Sequence, residues 1–497
     1  MAISVLSILR HSTKFTGVNL LSRFISFPVG IVVAMVLSPT DYGIIGYAGV
    51  FIAWAGFISP GLMSAAAREM PALVETGKVT RARYLQNLAV TIESIITLMV
   101  FSGLIGIALF FIKDFTTQII LLLSAVGYVL GRLNSFIEGI NFTFKDFSLS
   151  AKSRLVKTIL YPIMTLSMIF WLKIYTPLIV GIILTIITIS YQMYKRNYNF
   201  SFVFNRAEIS RLVKIGVSLT VGSILYTLFT STLDRTIIST FLSKADLGLW
   251  VFSSNMMIII LGFFKDYANV LKPVIWAELG KSNTIKEAFS PLTRMAVYFS
   301  LSSGFITGIV QLGFIILVNF VTVKFIDAQY VFLFISLYIF WEAMEKFPEF
   351  VLYSEKVNLQ NTVLRIWGGC LVINLLLDIS AIKLGLGIIG IAVATVISQV
   401  ISTFIMTIKA RKYLGLDGKE FILYLLKIIA PFGLVLIITI IHWLSINYWN
   451  IELPVLLVCS LIFQLFMWYL FISFCYKDYK NIYSFRTYLS LLRKTEQ

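Results

Sequence analysis

The stretch Leu37–Tyr47 reads LSPTDYGIIGY, and about two hundred residues later Leu242–Phe252 reads LSKADLGLWVF. Leu, Ser, Asp and Gly recur in one order, at Leu37 and Leu242, Ser38 and Ser243, Asp41 and Asp246, Gly43 and Gly248. Each copy follows a long apolar run. Asp41 and Gly43 read as turn chemistry, a side-chain-capped start to the next helix, rather than as ligands. What the repetition means depends on where the two turns lie.

Composition supplies the setting. Hydrophobic residues make up 58% of the 497 residues and charged ones 13%, and mean hydropathy is +0.89. Soluble domains carry roughly 25% charged residues, so this chain belongs in a bilayer. Apolar runs of about 20 residues, the length that crosses a hydrocarbon core of about 30 Å, succeed one another from end to end. Hydrophobic patterning predicts an all-α, polytopic protein with fourteen spans. They lie near 16–37, 43–67, 84–112, 118–141, 154–172, 175–194, 212–241, 247–270, 292–322, 328–352, 362–383, 386–408, 422–444 and 452–475. The first run contains Arg23 and ends at Pro39-Thr40-Asp41 without a small-residue cleavage pattern, so it reads as a retained helix rather than a secretion signal. Cys370, Cys459 and Cys475 all fall in apolar runs, and His11 and His442 are far apart. Neither a disulfide framework nor a metal cluster is indicated, and no cofactor is expected.

The net charge of +17 is mostly topology. Alternate loops hold only Lys113, Lys173, Lys244, Lys324 and Lys383, while all other loop and terminal cations fall on the opposite side. The positive-inside bias then places both termini in the cytoplasm, which an even number of spans satisfies. Nucleic-acid binding, the other common meaning of a basic chain, has little support. In this orientation both quoted turns lie outside, linking spans 1–2 and 7–8. Six spans separate them, as in a parallel duplication of two bundles about an axis normal to the membrane. The expected organisation is a first bundle over 1–205, a second over 206–415, and a further helix pair with a tail over 416–497.

Two motifs are set aside. Gly385-Leu386-Gly387-Ile388-Ile389-Gly390 matches GxGxxG, but it lies in a turn between apolar helices and lacks the strand a dinucleotide site requires. Asn141-Phe142-Thr143 fits a glycosylation pattern at the cytoplasmic end of a span.

Ionisable residues within spans are costly and usually face a polar interior. The basic ones are Arg23, Arg132, Arg235 and Lys265; the acidic ones are Glu93, Glu138, Asp234, Asp266, Glu342, Glu345 and Asp378. Guanidinium stays charged when desolvated and its planar fork matches phosphate oxygens, which points to an anionic, phosphate-bearing substrate. The competing reading pairs each arginine with an acid and gives it only a bracing role. Thr220, Ser223, Thr227, Thr230 or Ser231, and Asp234 step by three or four along span 7 and predict one polar face. Asn19, Ser22, Arg23, Ser26 and Gly30 form a similar face in span 1. The two faces imply a cleft between the bundles, lined by their opening helices. Glu138, Glu342, Glu345 and Asp378 are candidates for coupling or gating, although Glu342 and Glu345 equally suit partnership with Lys346.

The segments SRFISFPVGIVVAMVLSPTDYGIIGY, STLDRTIISTFLSKADLGLWVFSSN and KLGLGIIGIAVATVISQVI together resemble the polysaccharide (O-antigen/exopolysaccharide) flippases of the multidrug/oligosaccharidyl-lipid/polysaccharide exporter superfamily. The shared pattern is Asp41-Tyr42-Gly43 in the turn, Asp234 in span 7, and Gly387-Ile388-Ile389-Gly390-Ile391-Ala392 opening span 12. The resemblance implies a non-enzymatic flippase of the bacterial inner membrane. It would move undecaprenyl-diphosphate-linked oligosaccharide, as in lipopolysaccharide assembly, to the outer leaflet by alternating access. It also implies Arg23, Arg132, Arg235 and Lys265 at the headgroup and contact with a polymerase and chain-length regulator; Asp234 joins the cavity by its place on span 7, and coupling to protons or sodium is expected at the buried acids. Alternatives within the fold are a drug or metabolite exporter and a peptidoglycan-precursor flippase. From another class comes a membrane polymerase or ligase, against which the short outer loops argue.

Overall fold

Ser38 and Ser243 begin their helices in the same way. The Asp41 N–H donates to Ser38 Oγ (3.2 Å) while the Ser38 N–H donates to the Asp41 carboxylate (2.9 Å). Ser243 and Asp246 repeat the exchange at 3.1 Å in both directions. These reciprocal capping boxes satisfy N–H groups that a helix start otherwise leaves unpaired, and Pro39 at the first helical position is preset for it.

The computed structural model describes residues 22–144, 146–198, 200–281, 285–354, 357–448 and 453–475. These form fifteen helices and, among the described residues, no strand. In order they are α1 (Ser22–Val36), α2 (Pro39–Gly56), α3 (Leu62–Glu75), α4 (Val79–Phe111), α5 (Phe115–Thr143), α6 (Phe147–Leu172) and α7 (Thr176–Lys195). Beyond a linker come α8 (Arg206–Phe241), α9 (Lys244–Lys281), α10 (Ile285–Ile316, with a π-helical end), α11 (328–353, joined at Ser336), α12 (Gln360–Lys383), α13 (Gly387–Leu414), α14 (Gly418–Tyr448) and α15 (Leu453–Cys475). Nine of the described helical stretches are individually long and apolar enough to cross a membrane, one of them the double stretch Phe147–Lys195, and α1 and α2 form a pair bent by 119°.

Fourteen of these helices fall on the expected spans; α3 is additional. The span expected over 43–67 is interrupted because α2 ends at Gly56, and Pro60 and Gly61 (φ 73°) turn the chain before α3 starts. The span 212–241 is likewise not one regular helix, since residues 228–232 form a π-helical turn. Asn141 is fully buried and bonded to Gln192 and Tyr198, so its pattern is structural. Asn19, at the start of the expected polar face of span 1, lies outside the described residues.

Helices α2–α7 pack on one another, and helices α8–α13 do likewise, as two bundles. They meet at the quoted turns, where α2 lies along α9. A β-carbon on Gly43 would run into the Lys244 carbonyl oxygen, and one on Gly248 into the Pro39 carbonyl oxygen. Glycine in each copy therefore admits the backbone of the other copy, at the same place in the repeat. Lys324 also donates to the carbonyls of Met35 (3.2 Å) and Val36 (3.1 Å), closing the C-terminal end of α1 with a cation. At the opposite, cation-rich end a second seam joins α3 to α8. Gly216 packs on the carbonyls of Pro60 and Gly61, Arg211 grips Glu69 through two nitrogens (2.6 and 3.0 Å), and Glu208 takes both Arg211 (3.0 Å) and Arg81. The final pair is fastened to the second bundle: Gln311 donates to Thr439 (2.8 Å) and Gln464 to the Gly308 carbonyl (3.3 Å).

Candidate functional site

The charged residues inside the spans divide into those that brace the fold and those that do not. Arg132 on α5 belongs to the first group. Its guanidinium meets Glu93 at 2.6 Å, and Glu93, 1% exposed, also accepts from Ser59 Oγ (2.9 and 2.8 Å) and from the Leu62 N–H (3.0 Å). This one carboxylate thus holds the break before α3, and Arg132 neutralises it. Glu138 is similarly committed to Arg154 (2.8 Å), and Lys265 to Glu342 (3.5 Å). Lys346 reaches the same Glu342 carboxylate at 3.2 Å and Glu349 at 2.9 Å.

Arg23 joins the two bundles. From α1 it crosses to α9, where its Nε lies 3.3 Å from Asp266 and its guanidinium donates to the Ile259 carbonyl at 3.5 Å. The space it occupies exists because residue 262 is glycine; a β-carbon there would coincide with the guanidinium.

Arg235 differs from all of these. No carboxylate lies within ion-pair distance of it among the described residues; its contacts are Ser254 Oγ (3.3 Å) and Asn255 Oδ1 (3.5 Å) on α9, and its Nε is buried without a partner. It lines a small cavity with Thr230, Ser231, Asp234, Trp250 and Thr395. Arg235 and Arg23 thus lie along one helix, at 254–255 and 259–266. A helix rises about 1.5 Å per residue, so the two guanidiniums are on the order of 10 Å apart.

Asp234 turns inward on the other side of the same helix. It is 1% exposed and accepts from Asn374 Nδ2 (2.8 Å) on α12 and Thr395 Oγ1 (3.1 Å) on α13. Asn374 also donates toward Asp378 (3.4 Å). Asp378 Oδ1 and Asn374 Oδ1 are buried with no partner. Two carboxylates therefore share a buried pocket with neutral donors, hydrogen-bonded to each other and close to the Arg235 charge.

The sequence reading differs from this arrangement at two points. The predicted polar face of span 7 is not a single cavity wall. Thr230, Ser231 and Asp234 line the cavity, whereas Ser223 and Thr227 donate to carbonyls of their own helix (2.9 and 2.8 Å) and Thr220 packs against Gly61. The π-helical turn inserts one extra residue per turn and rotates the residues beyond it, Asp234 and Arg235 among them. Sequence reasoning also missed Asn374, Thr395 and Ser254, which come from other helices. Thr395 and Asn374 stand out only as polar residues within apolar spans.

Glycine and ion-pair seams thus lie at opposite ends of the molecule, with Arg23, Arg235 and Asp234 between them. The chain belongs to the polysaccharide biosynthesis protein family, whose sequence profile matches residues 32–301. A search of curated protein sequences returned no match. Among solved structures it is similar to lipid II flippase MurJ in an inward-closed conformation, at 14% identity and a TM-score of 0.69, covering 93% of this chain and 99% of that one. It is also similar to multidrug resistance MATE family transporters of the MOP superfamily. An inward-facing one matches at 12% identity and TM-score 0.62 (81% and 94% covered), and an outward-facing one at 13% and 0.56 (82% and 96% covered). Its fold is the one seen in lipid II flippase MurJ and in these MATE transporters.

Proposed function

We propose that this protein is a flippase for lipid-linked oligosaccharide, carrying undecaprenyl-diphosphate-linked repeat units from the inner to the outer leaflet of the bacterial inner membrane. In this reading the cation-rich ends of the helices and both termini face the cytoplasm, and the seam between α2 and α9 is the outer gate. The observation that carries the proposal is Arg235: a guanidinium in a cavity, with hydroxyl and amide neighbours and a vacant Nε–H. A phosphate oxygen supplies the missing acceptor and the missing charge. Arg23 would add a second contact by exchanging Asp266 for the headgroup.

The scheme is rocking of the two bundles about the cleft. Release of the Arg211–Glu69 and Arg81–Glu208 contacts opens the cytoplasmic side, and release of the glycine seam opens the outside. With a cytoplasm-negative potential, each negative charge moved outward gains roughly 2.3 kcal/mol per 100 mV, so a diphosphate is driven outward by the potential itself. The Asp234–Asp378 pocket would hold a coupling cation, since one nearby guanidinium leaves two adjoining buried carboxylates short of a positive charge. Arg132, Glu138, Lys265 and Glu342 are assigned to bracing, because each is already paired.

The test tracks a fluorescent polyprenyl-diphosphate sugar in proteoliposomes under an imposed potential. Arg235→Ala should reduce the flipping rate at least tenfold and Arg23→Ala severalfold. Unchanged rates in both variants would remove the proposed headgroup site.

A further inference from the structure

Glu345 on α11 is fully buried, and its surroundings differ from those of Glu342 one turn away. Glu342 takes the cations: Lys346 and Lys265 lie on its Oε1, with Tyr226 OH at 2.6 Å and Tyr338 OH at 3.0 Å completing its shell. Glu345 receives only neutral donors, Trp367 Nε1 at 2.8 Å, Gln399 Nε2 at 2.7 Å and Thr403 Oγ1 at 3.5 Å. Gln399 Nε2 also reaches Glu342 Oε2 at 3.3 Å, so one amide hydrogen pair serves both carboxylates. Gln399 Oε1 is buried with no partner. The other titratable groups near Glu345 are Glu349 on its own helix, Tyr353, and Cys370 on α12.

Thr395, Gln399, Thr403 and Thr407 recur every fourth residue and so share one face of α13. Thr395 bonds Asp234 and lines the cavity at Arg235. Thr403 and Thr407 are the hydroxyls of a second small, mostly apolar cavity between α11, α13 and α14. Gln399 lies between. Polar side chains spaced one helical turn apart therefore lead from one cavity towards the other, and two of them, Gln399 and Thr403, touch Glu345.

We propose that Glu345 is a proton-binding site separate from the Asp234–Asp378 pocket, and that Thr395, Gln399 and Thr403 form the path connecting the two. A proton fits this position better than a metal ion. Both Glu345 oxygens already face N–H donors, which leaves neither free for the shell of several oxygens that a metal ion needs. Hydronium in the second cavity gives its proton to the Glu345 carboxylate and leaves as water. The resulting O–H needs an acceptor, which Gln399 Oε1 provides when its amide rotates. Return of the amide lets Nε2 donate again once the proton has passed on. The site stands on this geometry; its part in driving transport rests on the proposed flippase activity.

Two measurements on the full-length protein in liposomes test it. Infrared difference spectra between alkaline and acid pH should contain a protonated-carboxyl C=O band that shifts in D2O. That band should be absent in Glu345→Gln and present at a displaced frequency in Glu345→Asp. A band intact in Glu345→Gln overturns the site, and a properly folded Glu345→Asp lacking any band does so too. In the flipping assay, the stimulation produced by a pH gradient should fall to no stimulation in Glu345→Gln and at least fivefold in Gln399→Leu, with the potential held constant. Unaltered stimulation in both variants overturns the path. If the wild type moves no lipid-linked sugar at all, the proposed flippase fails, and the infrared arm still decides whether Glu345 binds a proton.

Discussion

Gly43 and Gly248 lie against each other's turns, each backbone seated on the carbonyl that begins the other's helix, Lys244 for Gly43 and Pro39 for Gly248. The repeat seen in the sequence is therefore a contact in the molecule. Its two copies form a self-complementary joint, the arrangement a twofold interface produces.

That joint should not tolerate a methyl group. Gly43→Ala or Gly248→Ala introduces an overlap with backbone, which has no side chain to swing away, and overpacking of this kind costs about 1–3 kcal/mol. Because the cost falls on the closed state alone, each variant should favour opening at this end. A cysteine placed at Tyr47 in a background lacking the native cysteines should then react faster with an impermeant maleimide added from outside. Equal reactivity in variant and parent contradicts the close approach.

Arg132 should behave as a stability residue. Arg132→Met leaves the buried Glu93 carboxylate without its cation, and breaking such a pair costs about 3–5 kcal/mol, reduced here by the partial exposure of Arg132. The double variant Glu93→Gln with Arg132→Met should recover most of the loss. Thermal unfolding of the purified protein in detergent measures all three. A single variant as stable as wild type shows that the pair does not hold the break before α3.

The cation-rich seam is half-exposed, and ion pairs of that kind contribute roughly 0.2–1 kcal/mol each. Glu69→Gln or Glu208→Gln should therefore shift the equilibrium between closed and open forms severalfold rather than completely. Arg211→Gln, which deprives both Glu69 and Glu208 of a cation, should lower the closed population further. Disulfide trapping between cysteines on α3 and α8 reads that population, and high salt should mimic the single variants in the wild type.

At the other end, Lys244 lies 3.2 Å from Asp114. Thr117, first, and then Lys244 hold the Asp114 carboxyl below its ordinary range. A depressed carboxylate contributes at every pH above its unfolded value of about 4 and loses its effect only as pH falls through the lowered one. Mild acidification outside should leave this contact intact, and opening through it should begin only in stronger acid. Asp114→Asn should remove that acid-induced component of maleimide reactivity.

Much of this was legible in the chain because bilayers impose simple rules on sequence. Hydropathy and length revealed the spans. LSPTDYG and LSKADLG revealed two helix starts with the same capping box. The helix break at Pro60-Gly61 was hidden because residues 43–67 remain apolar across it. The π-helical turn was hidden because the hydroxyl spacing before Asp234 looks regular. Pairings were the least legible. Arg132, Arg235 and Arg23 carry identical side chains in similar apolar settings. Whether each is braced depends on Glu93, on Ser254 and Asn255, and on Asp266, which only the packing of α4, α5 and α9 brings near.

The hydrogen bonds from Gln311 to Thr439 and from Gln464 to Gly308 give the two halves unequal mechanical loads. The second half carries α14 and α15 as ballast, with their lipid-facing side chains dragging through the bilayer, while the first carries none. Relative movement should therefore show up mainly as displacement of the lighter first half. Spin labels on α10 and α15 should keep a fixed separation through the cycle while labels on α2 and α9 do not.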